Sequence, residues 1–457
     1  MTAAAHDIVI VGGGLTGASL ACALADGKRR ILLLEACEGR GARFAGELIH
    51  PTGVDVLDQL GLLDPLRQAG GVDVEGFAIG IAERPTTHLR YAAIPDGRSQ
   101  GFAIDHHDMV SVLRRQAKAR PGVEIRFGAR VVELVREGGR VSGVRTGDGE
   151  TILADLTLVA EGRHARLRQS LDTGESSHLV AYNAALLVDD SVLPEGRYGH
   201  IVLGDPGPIL AYPIAHLGGE HHRVRMCFDF PSLPEEGRGL GPIAAAIRTR
   251  YLPLVPEPLR SAAARALDQR KPDLAACHAI CTRRCVEPGV ALVGEAGGCS
   301  HPITAAGMTI CLTDVRILAE ELGGAGALDG VLARYQKRRY RFARAREVLA
   351  DAIYETFLAE SDGTRAIREG LFRYWQDDRR ARAASLALLS GADSRLTSFL
   401  AEYWRVAGHG IERSLRGAVP GHDGQAVGRW SGVRGLVGRS MEKLGRVASH
   451  VREGTLR

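Results

Sequence analysis

The stretch that most constrains this chain is Asp7-Ile8-Val9-Ile10-Val11-Gly12-Gly13-Gly14-Leu15-Thr16-Gly17. Its β-branched run reads as a buried first strand. A G-x-G-x-x-G follows at once in Gly12, Gly14 and Gly17, and Ala18 to Ala25 continues as an apolar helix. Each glycine has a mechanical job. The first permits a sharp turn, the second lets backbone approach a pyrophosphate, and the third lets the helix pack closely on the strand. The helix start offers free N–H groups and the positive end of its dipole, so Leu15 and Thr16 join the glycines as a cradle. A second strand, Ile31 to Leu34, ends in Glu35, eighteen residues beyond Gly17, where an acid meets a ribose hydroxyl. This order of parts predicts an adenine dinucleotide site in an α/β fold.

The rest of the chain limits what surrounds that site. At 457 residues there is room for two or three domains. No apolar run approaches the roughly twenty residues that span a bilayer, and the N-terminus lacks the basic-then-apolar layout of a signal peptide. The expected location is the cytoplasm. Eight cysteines are then expected as reduced thiols. Cys277, Cys281 and Cys285 are spaced by four and could share a helix face, but they lack C-x-x-C pairing and a matching second pair, so no metal site is expected. Residues 411–457 hold nine Arg or Lys against four acids, a net +5 within a total of +4. The remainder is close to neutral, which excludes a global basic field for nucleic acid.

In chain order, a helix is expected from Val54 to Leu60 with Gly61 as its stop, then a strand Val74 to Ile81 pairing with Leu89 to Ile94. His107 to Lys118 reads as a helix, and short strands follow around Gly-Gly and Gly-Asp-Gly turns. From about 178 to 232 the strands lengthen and alternate, as in a separate antiparallel sheet, and 240–270 reads as helical. Val290 to Ala296 returns as a buried strand, and the loop His301 to Met308 opens a helix to about Leu322. From Val331 onward the chain is helical. The domains expected are residues 1–72 plus 101–175 plus 281–330 for the dinucleotide, 73–100 plus 176–280 for the substrate, and a helical region 331–457.

Several of these stretches together resemble a known family. They are the dinucleotide unit with Glu35; Arg43-x-x-Gly46-Glu47-Leu48-x-x-Pro51-x-Gly53 followed by Leu57-x-x-Leu60-Gly61-Leu62; Val159-Ala160-Glu161-Gly162 with Arg163 to Arg168; and Pro288 to Ala296 with His301-Pro302-x-Thr304-x-x-Gly307-Met308-Thr309. A weaker match is Arg368-x-x-Leu371-Phe372-x-Tyr374 with Leu388-Leu389-Ser390-Gly391. The sequence resembles the single-component FAD monooxygenases of the para-hydroxybenzoate hydroxylase type, and within them the squalene epoxidase group. Glu161 and Glu295 stand where that family has Asp, which keeps the carboxylate and adds a methylene.

The resemblance implies a Rossmann-like FAD-binding domain of the glutathione-reductase type, an inserted antiparallel-sheet substrate domain and a helical C-terminal region. It implies FAD as cofactor, NADPH or NADH as a transient electron donor, and O2 with a lipophilic small molecule as co-substrates. Only one G-x-G-x-x-G follows a strand, so the nicotinamide has no second fold of its own. The implied reaction inserts one oxygen atom, through a flavin C4a-hydroperoxide, into an isoprenoid or prenylated compound by epoxidation or hydroxylation. Arg43 and Arg114 are the expected side-chain partners of phosphate and ribose. Glu295 is expected at the ribityl chain. Pro302, Gly307 and Met308 are expected at the cofactor, the last two, at the helix start, stabilising negative charge on the reduced ring. Glu47, His50 and Tyr212 are the catalytic or pocket candidates.

Alternatives remain open. They are an aromatic hydroxylase of a quinone precursor or polyketide, a reductase of isoprenoid double bonds, and a flavin-binding protein without catalysis. Halogenation is disfavoured because the W-x-W-x-I-P element is absent, Trp375, Trp404 and Trp430 lying far apart. Leu386, Leu389, Leu396, Phe399, Leu400, Tyr403 and Trp404 form one apolar stripe, and Trp430, Val433, Leu436, Val437, Met441 and Leu444 another amid arginines. The basic tail reads either as a peripheral element on the inner membrane face or as a solvated helix on the body or a disordered tail.

Overall fold

The β-branched run near the N-terminus takes the centre of a parallel sheet. In the computed structural model, which describes residues 6–39, 46–81, 85–235, 239–421 and 425–455, the strand His6–Val11 pairs on one side with Ile31–Glu35 and on the other with Thr151–Val159. Val123–Phe127 and Val290–Leu292 extend the parallel order outward. Covered on both faces, Ile8, Val9, Ile10 and Val11 are almost wholly buried. The helices Leu15–Leu24, His106–Lys118 and Gly307–Gly323 share the apolar core of this sheet. Val131–Glu137 and Arg140–Thr146 continue it as an antiparallel hairpin on Thr151–Val159. The carboxyl ends of the parallel strands lie along one edge, which is where open α/β sheets bind ligands.

A second, seven-stranded sheet runs in the order Asp273–Cys281, Ser176–Val192, His221–Phe230, Ile209–Gly218, Tyr198–Leu203, Gly76–Ile81, Thr87–Arg90. The sheet was expected to be antiparallel, and one pair corrects this: Tyr198–Leu203 runs parallel to Gly76–Ile81. The partner strand comes from more than a hundred residues earlier, so no local signal announces the pairing. Along His221–Phe230 side chains alternate. Met226, Phe228 and Phe230 enter an apolar core with Leu259–Gln269, while Arg225, Cys227 and Asp229 face the other way.

Three smaller differences have physical causes. The helix Pro51–Gln59 begins before Val54 because Pro51, with no N–H to lose, occupies its first turn; Gly61 (φ +69°) ends it as expected. The run Val74 to Ile81 is two strands, Val72–Val74 in a small sheet with Leu48–Ile49 and Gly101–Ala103, and Gly76–Ile81 in the large one. Cys277 and Cys281 lie on the strand Asp273–Cys281, and Cys285 follows it, so the three share no helix face.

The helices Leu328–Leu358, Asp362–Asp377, Arg379–Ser390, Leu396–Leu415 and Arg429–Thr455 complete the chain. The first apolar stripe is mostly core, since Leu386, Leu389 and Phe399 are buried and only Trp404 is well exposed. The tail helix packs on the body through the buried Leu436 and a 2.9 Å ion pair from Lys443 to Glu355. It leaves Trp430, Val437 and Met441 exposed by 66%, 47% and 62%. Among the described residues no helix is long and apolar enough to cross a membrane.

Candidate active site

The turn after the first strand depends on glycine. Gly12 has φ +104°, and a Cβ there would stand 2.6 Å from the Ala160 carbonyl oxygen; one on Gly17 would stand 1.8 Å from the Gly12 oxygen. Gly14 differs: a Cβ there would meet nothing within 4 Å, because the position faces open space. That space is a groove of about 770 Å³ bordered by Gly12, Gly14, Leu15, Thr16, Glu35, Arg114, Glu161, Glu295, Gly307 and Met308. Two helices, Leu15–Leu24 and Gly307–Gly323, start at its walls without a side-chain cap. Their first-turn N–H groups have no partner within their own helices and carry the positive dipole end. An open glycine beside two uncapped helix starts fits a pyrophosphate and an electron-rich ring.

Glu35 closes the far end. Its carboxylate accepts the Gly13 N–H at 2.7 Å and the Cys37 N–H at 2.8 Å, and pairs with Arg114 Nη2 at 3.0 Å. Arg114 Nε also donates to the Gly13 oxygen at 2.7 Å, and its guanidinium lies 5.4 Å from the Phe127 ring centre. Arg114 thus lines the groove while anchored to Glu35. Arg43 lies outside the described residues.

The groove meets a second cavity, of about 160 Å³, along Gly46, Arg163, Glu295, Gly307 and Met308, which border both. The loop at this junction is held from behind. Gly294 (φ +66°) sits so close that a Cβ would be 2.5 Å from Thr16 Oγ1, and its N–H donates to Asp314 at 3.0 Å. Arg339 Nε donates to the same carboxylate oxygen at 2.8 Å, and its Nη2 to the Gly294 carbonyl at 3.2 Å. Burial alone would lower the Arg339 pKa, but the attraction of Asp314 more than reverses this and keeps it charged. Arg168, also buried, donates to the Ala296 carbonyl at 3.1 Å. Asp314 and Arg339 were not singled out in the sequence: Asp314 follows the Gly307-Met308-Thr309 motif on the same helix, but its partner Arg339 lies on the next one.

The second cavity has an apolar side, with Leu48, Leu210, Ile303 and Ile310, and a polar side with Asn183, Asp229 and His301. Pro302 lines this cavity and not the dinucleotide groove. Glu47 lies at its base in a two-bonded pair with Arg225, at 2.8 and 2.7 Å, and the Tyr212 hydroxyl donates to it at 3.4 Å. Burial pushes the Glu47 carboxyl up and the guanidinium pulls it back, so Glu47, a catalytic or pocket candidate in the sequence, is a counter-ion to Arg225. Burial also pushes the Tyr212 hydroxyl well above its usual range.

His50 requires a larger correction. It borders neither cavity, and both ring nitrogens are engaged, Nδ1 with the Tyr91 hydroxyl at 2.7 Å and Nε2 with the Thr304 carbonyl at 2.9 Å. A carbonyl only accepts, so Nε2 carries the proton and Nδ1 accepts from Tyr91. Burial, aided by Arg346, lowers its pKa to about 3. His50 is a neutral tie between loops and has no route to a substrate. Arg225 and Asp229 were missed as site residues, although charges at alternating positions of an otherwise apolar strand were a readable signal. His301 lay inside a quoted motif but had no role. No group of three His, Cys, Asp or Glu residues that could hold a metal occurs among the described residues.

With this geometry in place, similarity to known proteins identifies its class. The flavin-dependent brominase Bmp2 shares the fold over 90% of this chain and 99% of its own, at TM-score 0.72 and 16% identity. So does pqsL, a probable FAD-dependent monooxygenase from Pseudomonas aeruginosa, over 77% and 96%, at TM-score 0.65 and 21% identity. The squalene epoxidase family model matches residues 153–420, and the tryptophan halogenase model matches residues 82–197. Squalene epoxidase 3 of Arabidopsis thaliana is 31% identical over 421 residues, 90% of this chain and 79% of that protein. The protein is an FAD-dependent monooxygenase. Within that class, the chain belongs to the squalene epoxidase family.

Proposed function

We propose that this enzyme consumes NADPH or NADH to transfer one oxygen atom of O2 to a lipophilic, isoprenoid or prenylated substrate by epoxidation or hydroxylation. The observation that carries the reading is the junction of the two cavities at Gly46, Glu295, Gly307 and Met308. There a ring held by the groove would face a substrate in the second cavity. Flavin, reduced by the nicotinamide, supplies the activation of oxygen. The chain supplies the rest. Gly12, Gly14, Leu15, Thr16 and Gly17 hold the pyrophosphate and Glu35 the adenosine ribose. Arg114 orients Glu35, with Arg43 as a further phosphate partner, and Glu295 meets the ribityl chain. The Gly307 and Met308 N–H groups, at the start of their helix, hold negative charge on the ring. The buried walls exclude water from the reacting centre.

The sheet that contains Asp229 serves as the substrate body, residues 73–100 plus 176–280, against the FAD-binding body of residues 1–72, 101–175 and 281–330. A third, apolar cavity of about 100 Å³ among the C-terminal helices shares Ile303 with the second and suits a hydrocarbon chain. The exposed Trp430, Val437 and Met441 beside Arg434 and Arg439 suit peripheral contact with a bilayer. The test is NAD(P)H oxidation with oxygen uptake by the purified yellow protein across lipophilic alkenes and phenols. A colourless protein that gains no flavin spectrum with FAD would refute the cofactor assignment, and oxidation without any substrate dependence would refute the oxygen transfer. The halogenase match over residues 82–197 favours one further arm, in which bromide is added. A brominated product would replace this reading with halogenation.

A further inference from the structure

We propose that the substrate carries a hydroxyl group, alcoholic or phenolic, that docks between Asp229 and His301 on the polar side of the second cavity. The inference rests on reading that cavity as the place of oxygen transfer, and it narrows the substrate class beyond a lipophilic compound.

Both side chains border the cavity, and they are 3% and 2% exposed. Neither is satisfied within the protein: Asp229 Oδ1 and His301 Nε2 are buried without a hydrogen-bond partner. They do not satisfy each other, since Nε2 stands 3.7 Å from Asp229 Oδ2, beyond hydrogen-bond length. The orientation of His301 is set independently. Its Nδ1 accepts the Ile303 N–H at 3.0 Å, and its ring stacks on Tyr354 at 3.8 Å and 26°. With Nδ1 accepting, the proton of the neutral ring sits on Nε2, so an unpaired donor stands beside an unpaired carboxyl. Asn183 Oδ1 is likewise buried and unpartnered, whereas the Tyr354 hydroxyl lies close enough to the Asp229 carboxyl to act on it. Burial holds the Asp229 carboxyl up to about 7, against a weaker pull from the nearby Tyr354 hydroxyl, and holds His301 down to about 3, so no charge attraction closes the gap.

A buried polar group without a partner is costly, and here three residues that carry one, Asn183, Asp229 and His301, border the same cavity. The opposite arrangement occurs at the cavity base, where Glu47 and Arg225 saturate one another and ask nothing of a ligand. A hydroxyl is the small group that accepts from His301 Nε2–H and donates to Asp229 at once. With Asp229 ionised, above about pH 7, an ether or ketone can do only the first, and a hydrocarbon neither. The apolar remainder of such a substrate has Leu48, Leu210 and Ile303 to lie against.

The experiment titrates the FAD-loaded, oxidised enzyme with matched pairs, following the flavin absorbance. The pairs are farnesol with farnesyl methyl ether, and a prenylated phenol with its methyl ether. One hydroxyl compound is expected to bind about 10-fold or more tightly than its ether, and the pair that shows this separates an alcohol from a phenol. Asp229→Leu and His301→Phe should each abolish that preference while ether binding stays within about 3-fold. Equal binding of both members in each pair, binding of no compound, or a preference that survives in both variants would overturn the proposal. Should a variant fail to retain FAD, the wild-type comparison decides alone. Hydroxyl-dependent binding followed by no oxygen uptake with NADPH would support the docking and refute the monooxygenase reading, so the two failures are distinct.

Discussion

Two buried carboxylates, Asp314 behind the loop where the cavities meet and Asp229 on the second cavity, are in different circumstances. One oxygen of Asp314 takes the Gly294 N–H and the Arg339 guanidinium, and through them fixes the loop that carries Glu295. Asp229 has no such partner for its Oδ1 and borders the second cavity beside His301, whose Nε2 is also unpaired. The buried charge behind the dinucleotide side is therefore paired before anything binds, although Asp314 Oδ1 keeps no partner of its own. The substrate side keeps uncompensated groups. A site for a resident cofactor can be preorganised in full, whereas one for a visiting substrate leaves bonds for the visitor to complete.

The contrast can be broken, beginning with the largest effect. Gly14→Glu should abolish FAD binding, because a carboxylate would occupy the open position at an anion site. The apoprotein should still fold, since nothing in the protein lies within 4 Å of the added Cβ. A visible spectrum with wild-type occupancy would show that the cradle is misplaced. Arg339→Ala should destabilise the fold by about 3–5 kcal/mol in urea unfolding, because it strands the Asp314 charge. The double variant Arg339→Met with Asp314→Leu should recover much of that loss; no recovery would show that the pair does more than compensate charge.

Asp229 should respond in the other direction. Its folded pKa, raised by burial to about 7 from an ordinary 3.8, makes wild-type stability fall as pH rises through that interval. Asp229→Asn removes the titration, so its melting temperature should exceed that of wild type by a margin that grows from about pH 4 to about pH 7 and then levels off. The gain is on the order of a few kcal/mol, because each tenfold difference in proton affinity between the folded and unfolded chain is worth about 1.4 kcal/mol. His301, Tyr354, Tyr251 and Cys277 are the titratable neighbours; His301 stays neutral across the interval, and the tyrosines and the Cys277 thiol titrate above it. A margin independent of pH would mean that Asp229 is already paired. The smallest effect belongs to the tail. Trp430→Ser with Met441→Ser should change stability by no more than about 0.5 kcal/mol, since both side chains are exposed. Liposome sedimentation should nevertheless fall, and unchanged sedimentation would refute the membrane contact.

How far each feature could be read in advance follows from where its partners lie. The cradle was legible because Gly12, Gly14 and Gly17 act through their own backbone and that of near neighbours. The helix after Asp105 was legible for the same reason, as Asp105 caps it by accepting the His107 and Asp108 N–H groups. His50 was misjudged because nothing in Leu48-Ile49-His50-Pro51 tells that Tyr91 and Thr304 will close on both ring nitrogens. The spacing by four of Cys277, Cys281 and Cys285 left a shared helix face open, whereas pairing with Ser176–Val192 made the segment of Cys277 and Cys281 a strand.

By itself the sequence determined the nucleotide-binding unit, the alternation of the long strands, the helical C-terminal region and the family. All of these depend on patterns contained in short windows or summed over the whole chain. Only the tertiary structure decided which charges are spent and which are left open. Glu47 meets Arg225 across 178 residues, Asp314 meets Arg339 between two helices, and Asp229 stands near His301 without bonding to it. Whether a buried polar group is satisfied is a property of distances between remote segments. A hydrogen bond made or missed by about 1 Å changes the role of a side chain and leaves its sequence neighbours unchanged.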